Sequence, residues 1–170
     1  MATLVAEARS RCTLVPPKVR ALIQARLAKL SPAARQLVMA AAVLGKQESV
    51  KVLWQLSELG VQAGVEALEE AVNSGLLHEE EAAVGQPGSY RFTHELIREV
   101  VYTELGQARR QLLHQRALAV LHTLGTSAAE LVYHVLAAGE ALAAYRYSVQ
   151  ATAHDDTHNA FMKLPLSLLR

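Results

Sequence analysis

Seventeen residues, Leu76 to Phe92, interrupt an otherwise helical chain, and this interruption narrows the possible folds more than any other feature. Leu76 and Leu77 lead into an acidic run, then Gly85-Gln86-Pro87-Gly88, then Tyr90 and Phe92 in alternation. Short apolar stretches on either side of a Gly/Pro tip predict two strands joined as a hairpin.

Helical spacing fills the chain before the hairpin. A first-turn proline loses no helical bond, so a helix can open at Pro17 and continue through Leu22, Ile23, Arg26, Leu27 and Leu30. Ser31-Pro32 supplies an N-cap and first-turn pair for a second helix, through Leu37, Val38, Ala41 and Leu44 to a stop at Gly45. A third covers Val50 to Leu59, with Val50, Leu53, Trp54 and Leu56 facing inward. A fourth covers Gln62 to Asn73, with Val65, Leu68, Ala71 and Val72 on one face and Gly75 as its C-cap. Three helices followed by a hairpin is the order of a winged helix, here about Ser31 to Phe92 with the preceding helix packed on it.

The remainder also reads as helix. Thr93 to Leu105 is one segment, with Thr93 as its expected N-cap and His94 in its first turn. Gln107 to Leu124 follows, with Leu113, Ala117, Val120, Leu121 and Leu124 on one face; then come Ser127 to Ala138 and Glu140 to about His154. Breaks at Gly125 and Gly139 predict antiparallel helical hairpins. Tyr133/Ala137 and Ala144/Tyr145 give them the small-and-aromatic packing of a tetratricopeptide-type pair. The expected organisation is a disordered lead-in over 1–15, a winged-helix domain with flanking helices over 16–105, a helical-repeat start over 106–155 and a tail over 156–170. The fold class is mainly α with one small hairpin.

Composition agrees with helix. Half the residues are apolar, Ala and Leu lead, and aromatic residues are few. A single cysteine, Cys12, rules out an internal disulfide and fits a reducing compartment. The longest apolar run, Leu37 to Gly45, falls far short of the roughly 20 residues that span a bilayer. Glu7, Arg9 and Arg11 interrupt what would have to be a secretion signal's apolar stretch, so the expected location is cytoplasmic. Charge is unevenly spread. Residues 1–60 hold nine Lys/Arg against three acids, residues 61–88 hold six glutamates and no Lys or Arg, and residues 89–170 are nearly balanced.

No catalytic set emerges. His94-Glu95-Leu96-Ile97-Arg98 has the outline of a zinc-protease helix, but Arg98 replaces the second histidine and a cation cannot ligate zinc. His154 and His158 share a helical face with carboxylates near, yet no further ligand is placed, so a solvated helix end is preferred to a metal site. Gly45-Lys46 lacks the glycine and the Ser/Thr of a phosphate loop, since Ala40 and Gln47 stand there. Cys12 has no assignable base. A DNA-binding reading meets the wrong charge, because the helix in the recognition position carries Glu66, Glu69 and Glu70 and the hairpin carries Glu79, Glu80 and Glu81. The remaining candidate is His94, beside the unpaired N–H groups and the positive dipole end of a helix, where a phosphate is well received.

Four pieces, in order, resemble the segment that follows the nucleotide-binding core in STAND-type bacterial ATPase regulators, including MalT-like and adenylate-cyclase-associated predicted ATPases. They are Pro17-Lys18-Val19-Arg20 with Arg26 to Ser31; Ala40 to Gly45; Gly75-Leu76-Leu77; and Arg91 to Tyr102. Arg109 to His114 and Glu130 to His134 extend the likeness into helices that begin a tetratricopeptide array in the family. The chain departs from the family pattern at Gln47-Glu48-Ser49, where an aromatic is usual, and lacks the core's Walker motifs. The resemblance implies a winged-helix arm folded over an ATPase site, with His94 at the position that touches bound ADP phosphates. The expectation is therefore a non-catalytic regulatory module with no cofactor of its own and ADP or ATP in a full-length parent. Its expected partners are that parent's nucleotide core and further helical repeats. Exposed apolar faces on the first and last helices add an expectation of self-association. The alternative is a free-standing winged-helix DNA-binding regulator.

Overall fold

The computed structural model describes residues 15–45, 48–80 and 88–139. The chain is mainly helical with one small antiparallel sheet. The described residues fall into two units, one ending at Gly106 and the other beginning at Gln107.

In the first unit, helix α1 (Pro17–Lys29) opens with its proline in the first turn and buries Ile23. It ends at Leu30, where Arg35 Nη2 donates to Ala28 O at 3.2 Å and Leu30 O at 3.5 Å, satisfying carbonyls that a helix end leaves open. Helix α2 (Pro32–Leu44) begins as its sequence predicts. Ser31 Oγ accepts from Ala34 N at 3.1 Å, and Gly45 closes the helix in the left-handed region at φ 83°. From Ala40 to Leu44 every residue is buried, so the apolar run is a helix enclosed by neighbours. Those neighbours are α3 (Val50–Ser57), α4 (Val61–Asn73) and α5 (Glu95–Glu104).

A bond between distant elements reinforces the start of α2. Ser31 N donates to Glu70 Oε1 of α4 at 2.7 Å. The Ser31 hydroxyl, and then this N–H, hold the Glu70 carboxylate below its usual pKa. Ser31→Ala should therefore cost about 1 kcal/mol, the ordinary value of a lost N-cap. Urea unfolding followed through Trp54, the only tryptophan, measures it.

The hairpin forms from β2 (Leu77–Glu80) and β3 (Ser89–Phe92), antiparallel, with Leu77 opposite Phe92 and Glu79 opposite Tyr90. The sequence pattern predicts two strands here, and the structure adds a third. Strand β1 (Glu48–Ser49) pairs with β3, giving the sheet order β1-β3-β2. Two residues carry no alternation to read, so only the partner's free edge reveals the strand. Other details differ as well. Val65 is exposed, because Ala67, Leu68 and Ala71 take the inward stripe of α4, and Val52 is more deeply buried than Val50. Val15, at the end of the expected lead-in, is buried.

The described residues of the second unit form a helical hairpin of α6 (Gln107–Thr123) and α7 (Ala128–Ala138). Gly125, at φ 70°, turns the chain between them, and Thr126 N closes back on Leu121 O at 3.1 Å. Leu113, Ala117 and Leu121 of α6 and Leu131, Val135 and Ala138 of α7 are buried, while Leu124, expected inside, is exposed. The expected helix from Glu140, the tail, and most of the lead-in lie outside the described residues. Among the described residues no helix is long and apolar enough to cross a membrane.

Candidate functional site

Strand β3 ends at Phe92, whose buried ring anchors the chain before it turns into α5. The turn is Thr93-His94. Thr93 does not cap the helix, as its sequence position suggests: its hydroxyl donates to Gly75 O at 3.0 Å and its N–H to Leu76 O at 3.1 Å. Those bonds pin the turn to the end of α4. The N-cap is His94 itself, extended at φ −144° and ψ 141°, with an exposed side chain that makes no capping bond.

His94 lines an open cleft of about 320 Å³ with Gly45, Arg91, Phe92, Thr93, Glu95 and Arg98. Three chain segments supply this wall: the end of α2, the end of β3 and the first turn of α5. Arg98 joins them. Its Nη1 donates to Ala42 O at 3.3 Å, covering an open carbonyl near the end of α2, and its Nε donates to Glu95 Oε1 at 2.7 Å. Arg91 forms an ion pair with Glu80 across the hairpin. One residue along, Tyr90 Oη donates to Glu79 Oε1 at 2.9 Å; burial, and then this bond, push the phenol up to about 12.

The cleft thus gathers a histidine, two guanidinium groups and a ten-residue helix's N-terminus, which together suit an anion. Each arginine already has a carboxylate partner, so their pull on an anion is partly offset. From the sequence alone His94 stands out, whereas Arg98 reads as a failed metal ligand and Arg91 has no role. Their spacing from His94 is visible there; the return of α2 to the same place is not.

Of the other sequence candidates, Gly45 and Arg98 line this cleft. Cys12, Lys46, His154 and His158 lie outside the described residues. Among the described residues no group of three or more His, Cys, Asp or Glu is placed to hold a metal ion. Glu66, Glu69 and Glu79 are exposed, while Arg109 and Arg110 belong to the second unit.

A buried pair in the second unit is absent from the sequence candidates. His114 of α6 and His134 of α7 are both buried, with their Nδ1 atoms 3.0 Å apart. Tyr133 sets its ring edge-on to both, at centroid distances of 5.4 and 5.2 Å. Burial first, then the neighbouring His134 and Arg110, lower the His114 pKa to about 3. A signal exists in the sequence: His114, Ala117 and Leu121 stand at i, i+3 and i+7, a core stripe with a histidine in it.

Comparison with protein-family models, with curated proteins and with solved structures finds no match. What the chain does must therefore be inferred from the chemistry of the cleft.

Proposed function

We propose that this chain is a non-catalytic regulatory module of an ATP-dependent signalling or transcriptional regulator. In this reading 16–105 is a winged-helix arm that packs on a nucleotide-binding core, in the cytoplasm, and passes its state to tetratricopeptide-like repeats beginning at α6. The element order from α2 to β3, with β1 returning to pair beside the hairpin, supports the winged-helix assignment. The α6–α7 hairpin supports a repeat start.

One observation carries the functional reading: an exposed His94 at the mouth of α5, in a cleft whose arginines are already engaged by Glu80 and Glu95. Such a surface is half a site. It offers a histidine donor and helix N–H groups to phosphate oxygens, but holds a nucleotide only when a second surface supplies the rest. A nucleotide bridging arm and core stabilises one arrangement only if its contacts differ between states, and His94 supplies that difference. Against the alternative of a DNA-binding regulator, α4 presents Glu66 and Glu69, which phosphates repel.

Calorimetry tests the proposal, with ADP and ATP titrated into this chain, into its mixture with the nucleotide core, and into the full-length parent. Binding should require the core. Removing one charge-assisted hydrogen bond by His94→Ala should weaken ADP about tenfold or more and raise basal activity. Unchanged ADP affinity in that variant would remove His94 from the site.

A further inference from the structure

Opposite charges lie on two helices whose outer faces nothing in the first unit covers. Residues 1–60 carry nine Lys/Arg against three acids, a net +6, and residues 61–88 carry six glutamates with no Lys or Arg, a net −6. On α1 only Ile23 is buried, and Lys18, Leu22, Ala25 and Lys29 form one exposed stripe at i, i+4, i+7 and i+11. Leu22 is 56% exposed. On α4 the outward stripe is Val61, Val65 and Glu69 at i, i+4 and i+8, with Glu66 beside it. Val61 is 70% exposed and Val65 37%.

We propose that the α1 stripe of one copy of this chain docks on the α4 stripe of a second copy, lysines against glutamates and Leu22 against the two valines. Each stripe carries what the other lacks. An exposed apolar centre flanked by charge of one sign is the composition of a recognition face, with the charge setting register and partner choice. A second copy fits better than an unrelated basic protein, because α1 of this chain carries Lys18, Arg20, Arg26 and Lys29 with no acid while α4 carries Glu66, Glu69 and Glu70 with no Lys or Arg. Neither stripe touches the cleft, so the contact does not depend on the nucleotide reading. The contact joins unlike surfaces, so it pairs twice across a two-fold axis or runs head to tail.

Sedimentation of the 170-residue chain across concentration tests this. Association should weaken as salt rises from about 0.1 M to about 1 M, which shortens the screening length from roughly 10 Å to roughly 3 Å. Lys18→Glu with Lys29→Glu should weaken it more than about tenfold, and so should Glu66→Lys with Glu69→Lys, because like charges then face each other. Mixing the two variants should restore association, since each retains the face that the other needs. All four positions are exposed, and circular dichroism checks that both variants stay folded. A chain that sediments as a monomer throughout, association indifferent to both reversals, or failure of the mixture to recover would each overturn the contact.

Discussion

Lowering the pH from 6.5 toward 3 will destabilise the α6–α7 hairpin, by at most on the order of 1 kcal/mol per pH unit. The cause is His114, which is fully buried with Nδ1 3.0 Å from His134 Nδ1. A hydrogen bond between two Nδ1 atoms needs one to carry a proton and the other to offer a lone pair, so the two rings cannot both be protonated. A proton added to the accepting ring would break the bond, and a proton on His114 would bury a charge. Accordingly the folded His114 resists protonation to about 3, while an unfolded histidine takes its proton near 6.5. Between those values the unfolded chain binds a proton that the folded chain refuses, so stability falls as pH falls. Above 6.5 neither state binds one, and this contribution is flat.

The measurement is hydrogen exchange of the α6 and α7 amides at several pH values, corrected for intrinsic exchange. His114→Leu with His134→Leu replaces both partners by apolar groups and should leave the hairpin about as stable at pH 7. The replaced pair should also lose the part of the acid slope that His114 supplies. The same slope in wild type and double variant would show that the histidines titrate as they do in water. Acid effects in the first unit have another origin. Glu70, held ionised by Ser31, stabilises that unit above about 4.5 and loses its contribution as pH falls through its lowered folded value.

Local chemistry explains what can be read from the sequence. Ser31-Pro32 and Gly45 bound α2 because capping and the left-handed region are properties of single residues. The hairpin is legible from its Gly/Pro tip and Tyr90/Phe92 alternation. What escapes depends on residues far apart in sequence. Strand β1 exists because β3 has an edge to offer, and Thr93 gives up the cap because Gly75 O stands within reach. Half of the cleft is readable, namely His94 before a helix. Arg98 joins it only once α2 returns to place Ala42 O beside the guanidinium. The histidine pair needs both faces of a helical hairpin at once, and charge patterns say nothing about two neutral rings.

Gly64→Val will destabilise the first unit by about 2–3 kcal/mol, the upper range for overpacking. Gly64 lies in the first turns of α4, where its backbone needs no unusual φ. Its value is the absent side chain. A Cβ there would meet the Trp54 indole at 2.5 Å from Nε1, 2.7 Å from Cδ1 and 3.0 Å from Cε2. The conflict is with the body of a rigid ring, and three ring atoms cannot be cleared by a small torsional adjustment. Glycine costs an exposed helix about 1 kcal/mol relative to alanine, so its presence here fits a position where seating the Trp54 indole against the α4 backbone stabilises by more. Buried Trp54 Nε1 has no hydrogen-bond partner among the described residues, which leaves contact with α4 as the reason for the indole's placement. A double-mutant cycle isolates the clash. In a Trp54→Ala background the methyl groups added by Gly64→Val occupy space vacated by the indole, so the same substitution should cost little or stabilise. Urea unfolding followed by circular dichroism reads all four corners. An equal cost in both backgrounds would mean that Gly64 is required for a reason other than the indole. The cycle also bears on the α4 stripe. Its valines and Glu69 lie on the helix whose Gly64 backbone meets the Trp54 indole, so a variant that displaces that helix should weaken self-association even with the stripe unchanged.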